Sequence, residues 1–380
     1  MIYLDNNSTT QIDKEVLDEM MPYLKELYGN AASRTHKFGW EANDVVKLSR
    51  ERVSSLINAK PDEIIFTSGS TEGINFLIKG VYDQYSEKGN HIITVKTEHK
   101  AVLDVCSYLE NKGAEITYLN VNEDGLIDLE ELIDSITEKT ILISIMYANN
   151  ETGVIQEIKE IGNIARKNNV FFMTDATQAV GKIPVDVVED NIDLLTLSAH
   201  KLHGPKGVGA VYIKRQFPKI KVTPLLHGGG HEKGYRSGTI NVPGIVGLGK
   251  ASEIAKKNLP KYENILRLRN QLEEELCKVE GVTLNGDKDN RLPNTTNISI
   301  DGVDAEALII KIRNEFAIAS GSACTSAEVL PSHVIMAMYN NEDKAYSSIR
   351  ISIGKDTKES ELDNFINEIS LRICKVKSII

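Results

Sequence analysis

The sequence places one lysine where it could act as a covalent amine. Lys201 stands in the stretch LSAHKLHGPKG (197–207), between two apolar runs, 192–197 and 207–213, that are typical of buried strands. A lysine just past a buried strand can be desolvated, and a lysine of lowered pKa forms a Schiff base with a carbonyl compound. Because most lysines are exposed, a solvated lysine on a polar loop is the alternative interpretation. The case for chemistry therefore depends on the rest of the chain.

Residues suited to binding a carbonyl cofactor occur in other segments. Pyridoxal phosphate is the usual protein-bound aldehyde, and its lysine normally comes with an acidic partner for the ring nitrogen. Asp175 ends the apolar run VFFMTD (170–175), and Gln178 follows three residues later, where it could bond the phenolate oxygen of the ring. His99 could stack on the ring or move protons. The alternatives are a helix N-cap for Asp175 and an ordinary hydrogen-bonded loop histidine for His99.

Two short segments rich in hydroxyl groups are candidate phosphate sites. The segment SGST (68–71) lies between a predicted strand and a predicted helix, so its hydroxyl and N–H groups could hold a phosphate or simply cap the helix. It lacks the Gly-Lys-Ser/Thr ending of a Walker A loop. Ser198 and His200 flank the lysine and could reach the same anion. The segment RSGT (236–239) is a second candidate.

One thiol and one guanidinium complete the candidate groups. Cys324 lies in ASGSACTS (319–326), where small residues on both sides favour an exposed, reactive thiol. Arg350 lies on a predicted strand, 349–353, and could hold a substrate carboxylate or be an exposed arginine on an edge strand. The other cysteines fall within apolar-patterned helices and are predicted to be buried: Cys106, Cys277 and Cys374.

The elements that must position these residues alternate between strand and helix. Apolar runs alternate with helical periodicity from residue 63 to residue 213, which predicts a mostly parallel, helix-covered sheet. Ligands of such sheets bind beyond the carboxyl ends of the strands. The candidates at or just past predicted strand ends are Thr71, His99, Asn150, Asp175 and Lys201. Their convergence is the strongest inference that the residues support by themselves.

Two further regions flank this sheet. Residues 3–10 are predicted to form a short polar, turn-rich lead. Residues 250–281 predict a long, charged helix, broken near Pro260, that links a large domain to a smaller one. The predicted bounds are 14–255 for the large domain and 1–13 with 256–380 for the smaller one.

Composition limits the classes of function. The 380 residues carry a net charge of −10, which argues against nucleic acid or an anionic membrane as the main partner. No apolar run is long enough to span a bilayer, and the first residues lack the features of a signal peptide. The four cysteines form no CxxC pair, so neither a zinc ribbon nor a disulfide framework is indicated. We expect a reducing, cytoplasmic setting.

Segments spread along the whole chain then match a known pattern. The sequence resembles the cysteine desulfurases of the NifS/IscS type, within the class V aminotransferase family of fold-type I pyridoxal-phosphate enzymes. The resemblance implies an α/β fold, with a mostly parallel seven-stranded sheet in the large domain and a smaller α/β domain. It rests on YLDNNSTT (3–10), EIIFTSGSTEGIN (63–75), EH (98–99), NNETG (149–153), DATQAVGK (175–182), SAHKLHGPKGVG (198–209), RSGTINVP (236–243), SGSACTSA (320–327) and RISIG (350–354).

The resemblance implies a role for each candidate residue. Lys201 would hold the cofactor aldehyde and remove the substrate proton, His99 would stack on the ring and assist proton transfer, and Cys324 would accept the sulfur. Asn7, Asn150 and Arg350 would bind the substrate, the first and last by orienting its carboxylate. The residues implied to bind pyridoxal phosphate are Ser70, Thr71, His99, Asn150, Asp175, Gln178, Ser198, His200, Lys201 and, from the other subunit of a homodimer, Thr239.

The implied reaction converts L-cysteine to L-alanine and leaves a persulfide on Cys324. The sulfur would pass to an iron–sulfur scaffold protein or a tRNA-thiolation protein, and Cys324 could touch a nascent cluster in such a complex. The cysteine loop (319–331) is of the long type, which could swing between cofactor and partner. The sequence departs from the common pattern at Ala31, His231, Lys355 and Asp356, and the last three lie near loops that could influence the partner or substrate.

Other interpretations stay open at this point. The chain could be another class V enzyme, such as an alanine–glyoxylate-type aminotransferase, which needs no thiol at position 324, or a selenocysteine lyase. It could also be a catalytically inert scaffold that binds a partner. A metalloprotein is disfavoured by the spacing of the cysteines.

Overall fold

A computed structural model describes residues 1–215, 219–321 and 330–377. Within these ranges the strands are β1 (Ile2–Tyr3), β2 (Ile64–Thr67), β3 (His91–Val95), β4 (Glu115–Leu119), β5 (Thr140–Ser144), β6 (Phe171–Asp175), β7 (Leu194–Ser198), β8 (Gly209–Ile213), β9 (Val282–Leu284), β10 (Thr295–Ile300), β11 (Phe316–Ala317), β12 (Ala319–Ser320) and β13 (Ser348–Ser352). The α-helices are α1 (Lys14–Lys25), α2 (Lys37–Leu56), α3 (Ser70–Tyr85), α4 (Lys100–Glu110), α5 (Leu129–Ser135), α6 (Ile158–Lys167), α7 (Val242–Asn258), α8 (Tyr262–Leu276), α9 (Ala305–Ile312), α10 (His333–Tyr339), α11 (Glu342–Tyr346) and α12 (Glu359–Lys377).

The largest sheet in the described residues has seven strands in the order β2-β8-β7-β6-β5-β3-β4. Strand β8 runs antiparallel to β2 and to β7, and the other pairs are parallel. Five of these strands are buried along their whole length, as the continuous apolar runs predict: β2, β3, β5, β7 and β8. The predicted fold class, an α/β fold with a mostly parallel seven-stranded sheet, is confirmed.

Helices cover both faces of this sheet because successive strand residues point to opposite sides. In β2, Ile64 and Phe66 pack into one apolar cluster with residues of α1, α2 and α7. Ile65 packs into a second cluster with residues of α3 and α4. This two-sided burial leaves the strand ends as the place where polar groups can gather.

A second core surrounds an antiparallel sheet of order β12-β13-β10-β9. Its apolar cluster includes residues of α8, α9 and α12, and also Leu4 from the N-terminal segment. We propose that this core and the cores of the larger sheet correspond to the two domains predicted from the sequence.

The predicted helix break near Pro260 is confirmed. Helix α7 ends at Asn258, residues Leu259–Lys261 form a 3₁₀ turn, and α8 begins at Tyr262. The first of the two helices starts earlier than predicted, at Val242, because Asn241 caps it by accepting the N–H of Gly244. In the part of the chain that the structure describes, no helix is both long and apolar enough to cross a bilayer.

Residues 3–10 form the polar, turn-rich segment that the sequence predicts, and the structure shows what this segment contacts. The segment runs between the two sheets: Asn6 N–H donates to the carbonyl of Ser352 at 3.1 Å, and Thr10 N–H donates to that of His200 at 2.9 Å. Asn7 is 1% exposed. Leu4, Asn6 and Asn7 are therefore buried, and Asn7 contacts the predicted lysine.

The contact between α3 and the sheet offers a test of this packing. A Cβ atom on Gly73 would lie 2.3 Å from Thr196 Oγ1 and 2.8 Å from Val211 Cγ1. Because neither strand can yield easily, Gly73→Ala is expected to lower the free energy of unfolding by about 1–3 kcal/mol. Urea denaturation measures the change. Asp83→Ala, on the exposed face of the same helix, is the matched control. Equal stability of the two variants would contradict the tight seating of α3.

Candidate active site

A cavity of about 460 Å³ opens at the carboxyl ends of the parallel strands. Among the predicted site residues that the structure describes, all but Thr239 line it: Asn7, Ser70, Thr71, His99, Asn150, Asp175, Gln178, Ser198, His200, Lys201 and Arg350. These residues come from seven separate stretches of sequence, so the strand-end rule, applied to the sequence, locates the cavity.

Lys201 reaches this cavity from a short turn. Strand β7 ends at Ser198, and a 3₁₀ turn, Ala199–Lys201, follows at once. The Lys201 amine donates to the backbone carbonyls of Asn7 at 2.5 Å and Ser8 at 2.6 Å. A carbonyl oxygen accepts a hydrogen bond from an amine and so orients it, but unlike a carboxylate it carries no full negative charge. The amine is therefore held in place by the N-terminal segment.

Asp175 is the last residue of β6 and is buried. Its Oδ1 accepts the N–H of Thr177 at 3.0 Å and also the Thr177 hydroxyl. In the described part of the chain no hydrogen bond involves Oδ2, which leaves that oxygen for a ligand in the cavity. In the described structure no helix begins between Asp175 and β7, so the alternative interpretation of Asp175 as a helix N-cap is wrong.

The N-terminus of α3 forms another wall of the cavity. Gly69 precedes the helix with φ +150° and has no side chain with which to cap it. The N–H groups of a first helical turn favour an anion, and Ser70 and Thr71 add hydroxyl groups. Ser70 Oγ lies 2.5 Å from Thr177 Oγ1, which joins this wall to the Asp175 turn.

The histidines of the site are shifted toward their neutral forms. Burial, reinforced by the charges of Lys201, Lys206 and Lys182, lowers the pKa of His200 to about 4. Burial lowers the pKa of His99, and the charge of Lys201 acts in the same direction, while the Asp175 carboxylate opposes both. His99 also caps α4, since its Nδ1 accepts the N–H of Ala101 at 3.1 Å. A neutral His99 keeps its ring available for stacking and proton transfer.

Arg350 is 2% exposed and lies in the interior of the small sheet, since β13 pairs with both β10 and β12. The alternative interpretation as an exposed arginine on an edge strand is therefore wrong. Its Nη2 donates to Asp5 Oδ1 at 2.7 Å and its Nη1 to the carbonyl of Asn150 at 3.1 Å. Within the described ranges its buried Nε has no partner. A buried donor without an acceptor suits an anionic ligand.

Comparison with known proteins assigns the chain to a family. A family model described as Aminotransferase class-V matches residues 2–365. The chain belongs to the class-V aminotransferase family.

The relatives of this class-V chain extend over its full length. Cysteine desulfurase IscS of Neisseria meningitidis (serogroup A, strain Z2491) is 48% identical over 379 residues, which cover 100% of this chain and 93% of the relative. Cysteine desulfurase IscS of Vibrio campbellii is 46% identical over 381 residues, with 100% and 94% covered. A solved NifS-like protein superposes with a TM-score of 0.91 at 38% identity, covering 100% of both chains. The predicted NifS/IscS-type resemblance is confirmed.

Three sequence predictions about this class-V chain have other outcomes. Thr239 is exposed and lies outside the cavity lining, so its role from a second subunit stays a prediction. Cys324 lies outside the described residues, and its role as sulfur acceptor also stays a prediction. The burial predicted for Cys277 and Cys374 is wrong, because both are exposed, whereas Cys106 is buried as predicted. Cys277 is the C-cap residue that follows the end of α8, and Cys374 lies in α12 outside its set of buried residues.

Two buried charged residues next to the cavity were not singled out from the sequence. Lys182 is 4% exposed, and Glu98 is 1% exposed. Lys182 stands four residues after Gln178, a spacing that could have placed both on one side of a turn. Glu98 precedes His99 directly. No group of three potential metal-ligating side chains occurs among the residues described.

Glu98 generates a prediction about pH. Its Oε1 accepts the N–H of Met146 at 2.6 Å, and its buried Oε2 has no partner in the described structure. Burial and the nearby Asp175 carboxylate raise the pKa of Glu98 well above 4.5. A raised pKa in the folded state means that folding stability falls as pH rises above the unfolded value. Glutamine has no ionisable group, so Glu98→Gln does not lose stability in this way. The free energy of unfolding of the variant, relative to that of the wild type, is therefore expected to increase from pH 5 to pH 8.

Urea unfolding across this pH range measures the difference. Glu87→Gln, at an exposed position, is the matched control and should follow the wild-type pH profile. A constant stability difference for Glu98→Gln at all pH values would show that Glu98 does not titrate in this way.

Proposed function

We propose that this chain is a pyridoxal-phosphate-dependent cysteine desulfurase. It converts L-cysteine to L-alanine and supplies sulfur for iron–sulfur cluster assembly, tRNA thiolation or both. The proposal rests on one observation above the others: Lys201, Asp175 and the N-terminus of α3 share a single cavity in a chain 48% identical to a cysteine desulfurase.

The donor set of the cavity fits pyridoxal phosphate. The N-terminal turn of α3, with Ser70 and Thr71, offers N–H and hydroxyl donors to the phosphate, together with Ser198 and His200. The carboxylate oxygen Oδ2 of Asp175 is available to the ring nitrogen. The NH₂ group of Gln178 can donate to the phenolate oxygen, and His99 offers a neutral ring for stacking.

The cofactor supplies an aldehyde that carries the substrate amine and a protonated ring that accepts electrons. Lys201 would hold the cofactor aldehyde through its amine, and the same amine would take the α-proton of the substrate. The carbonyl oxygens of Asn7 and Ser8 would keep the Lys201 amine in the cavity when it is not bonded to the cofactor. Arg350 would orient the substrate carboxylate, with Asn7 and Asn150 lining the cavity beside it. The unpartnered Nε of Arg350 supports this assignment.

Cys324 is the proposed sulfur acceptor. Its thiolate would attack the substrate sulfur, so an S–S bond forms as the C–S bond of cysteine breaks. The sulfur stays on Cys324 as a persulfide, and protonation of the carbon skeleton gives alanine. Transfer to an iron–sulfur scaffold or a tRNA-thiolation protein completes the cycle. This thiol chemistry needs a reducing compartment, so the proposal places the enzyme in the cytoplasm.

The proposal includes a homodimer in which Thr239 reaches the phosphate of the partner subunit. The exposure of Thr239 and its position outside the cavity of its own chain support this arrangement.

Replacing the lysine tests cofactor attachment. Lys201→Ala removes the only atom of that side chain that can bond the aldehyde, so the variant is expected to lose the visible absorbance after free cofactor is removed. Absorption spectroscopy of the desalted protein measures this. Lys167→Ala, at an exposed position, is the control and should keep the band. An unchanged spectrum for Lys201→Ala would contradict the assignment.

Replacing the thiol tests the sulfur step separately. Cys324→Ala should keep the visible absorbance but lose alanine release from L-cysteine, by a factor of about 100 or more since the acceptor is gone. Cys374→Ala, which removes an exposed thiol elsewhere, is the matched control. Alanine formation is measured in both. Normal turnover by Cys324→Ala would rule out desulfuration through this thiol and favour another class-V reaction.

A further inference from the structure

Lys182 is a buried cationic residue to which the proposed mechanism assigns no role. Its amine donates to Gln178 Oε1 at 2.7 Å and to Asn7 Oδ1 at 2.9 Å. Burial, helped by the charges of Lys201 and Arg350, lowers the pKa of Lys182 well below its usual value. A neutral amine still has two N–H groups, which is the number that these two hydrogen bonds require. The contacts therefore persist in either protonation state.

The two acceptors of Lys182 are side-chain amides that line the cavity. An amide group can turn by 180° and exchange its oxygen with its NH₂, and its neighbours decide which orientation is stable. Lys182 directs one N–H at Gln178 Oε1 and another at Asn7 Oδ1, so it holds the oxygen of Gln178 on its own side. The Gln178 NH₂ then points away from Lys182. One of its N–H groups donates to the backbone carbonyl of Asn7 at 2.9 Å, and the other remains for a ligand.

The same contact fixes Asn7. Its Oδ1 accepts from Lys182 and, at 3.2 Å, from Asn294. Its Nδ2 donates to Thr295 Oγ1 at 2.8 Å and to the carbonyl of Asn150 at 3.2 Å. The backbone carbonyl of Asn7 is the oxygen that receives the Lys201 amine. A single buried lysine is therefore tied to both the amide that faces the cofactor site and the carbonyl that holds the reactive amine.

We propose that Lys182 is a positioning residue of this site: by donating to Gln178 and Asn7, it keeps the Gln178 NH₂ turned to the cavity and the Asn7 carbonyl in place against Lys201. The inference rests on the proposed function, because the ligand that would receive the Gln178 N–H is the phenolate oxygen of pyridoxal phosphate. Lys182 itself does not touch substrate or cofactor and acts through these two residues.

The test uses the full chain loaded with pyridoxal phosphate. Lys182→Met keeps the length of the side chain and removes both donors. A donor to the phenolate oxygen favours the deprotonated form of the conjugated cofactor, so its loss raises the pH at which the visible band changes. We expect the midpoint of this spectral titration to rise by about one pH unit, as the loss of one hydrogen bond would give. Lys167→Met, at an exposed position, should leave the midpoint unchanged.

A double-mutant cycle distinguishes positioning from a general charge effect or loss of structure. If Lys182 acts through Gln178, then Gln178→Ala shifts the midpoint by itself, and adding Lys182→Met to it changes little more. If the double variant shifts the midpoint by the sum of the two single-variant shifts, Lys182 does not act through Gln178 and the proposal is wrong. If Lys182→Met does not fold, Lys182→Gln, which keeps a donor on a shorter chain, should still shift the midpoint, by less.

The wild-type spectrum separates this inference from the function on which it rests. If the wild type shows no visible band after free cofactor is removed, the proposed function fails and the inference fails with it. If the wild type binds cofactor and releases alanine but the folded Lys182 variant keeps the wild-type midpoint, the positioning role alone is wrong.

Discussion

Three basic side chains lie beside one buried asparagine, and the rest of the site depends on how they are accommodated. The amines of Lys182 and Lys201 donate to Asn7, and Arg350 donates to the Asn150 carbonyl, which also accepts from Asn7. Lys182 and Arg350 are almost fully buried, and Lys201 is partly so. Burying a cation is costly unless acceptors surround it. Here the acceptors are mostly neutral carbonyl and amide oxygens, with Asp5 as the carboxylate partner of Arg350. A cleft of this kind favours anionic ligands such as a phosphate and a carboxylate, and it lowers the pKa of the neighbouring His200.

The N-terminal segment, residues 3–10, supplies contacts that hold these side chains in place. Its backbone supplies carbonyl oxygens to Lys201 on one side and hydrogen bonds to Ser352 of the small sheet on the other. The larger sheet alone would present Lys201, Asp175 and the α3 terminus, but without Arg350 and Asn7. The two sheets therefore build the cavity jointly, with the chain start lying between them.

Sequence patterns predicted the larger sheet well because its strands are buried on both faces and alternate with amphipathic helices. The apolar run 170–175 matches β6 to within one residue, and the strand ends pointed to the cavity. The N-terminal segment was not predicted as structural, since its polar residues find partners nearly 350 positions away. Arg350 could not be placed from its strand alone, because strand order decides which strand is an edge. Lys182 was missed because nothing in a Gly-Lys dipeptide reveals that its amine is buried.

The bond between Asn6 and Ser352 also sets a condition on how the polypeptide matures. A ribosome adds residues from the amino end at roughly 5–20 per second, and early domains begin to fold while later ones are still being made. The larger sheet can assemble as it emerges, but the first ten residues have no final docking place until β13 has been translated. The Asn6 and Asn7 contacts are thus completed only after β13, far later in the chain, has left the ribosome, and the cavity cannot be complete before then.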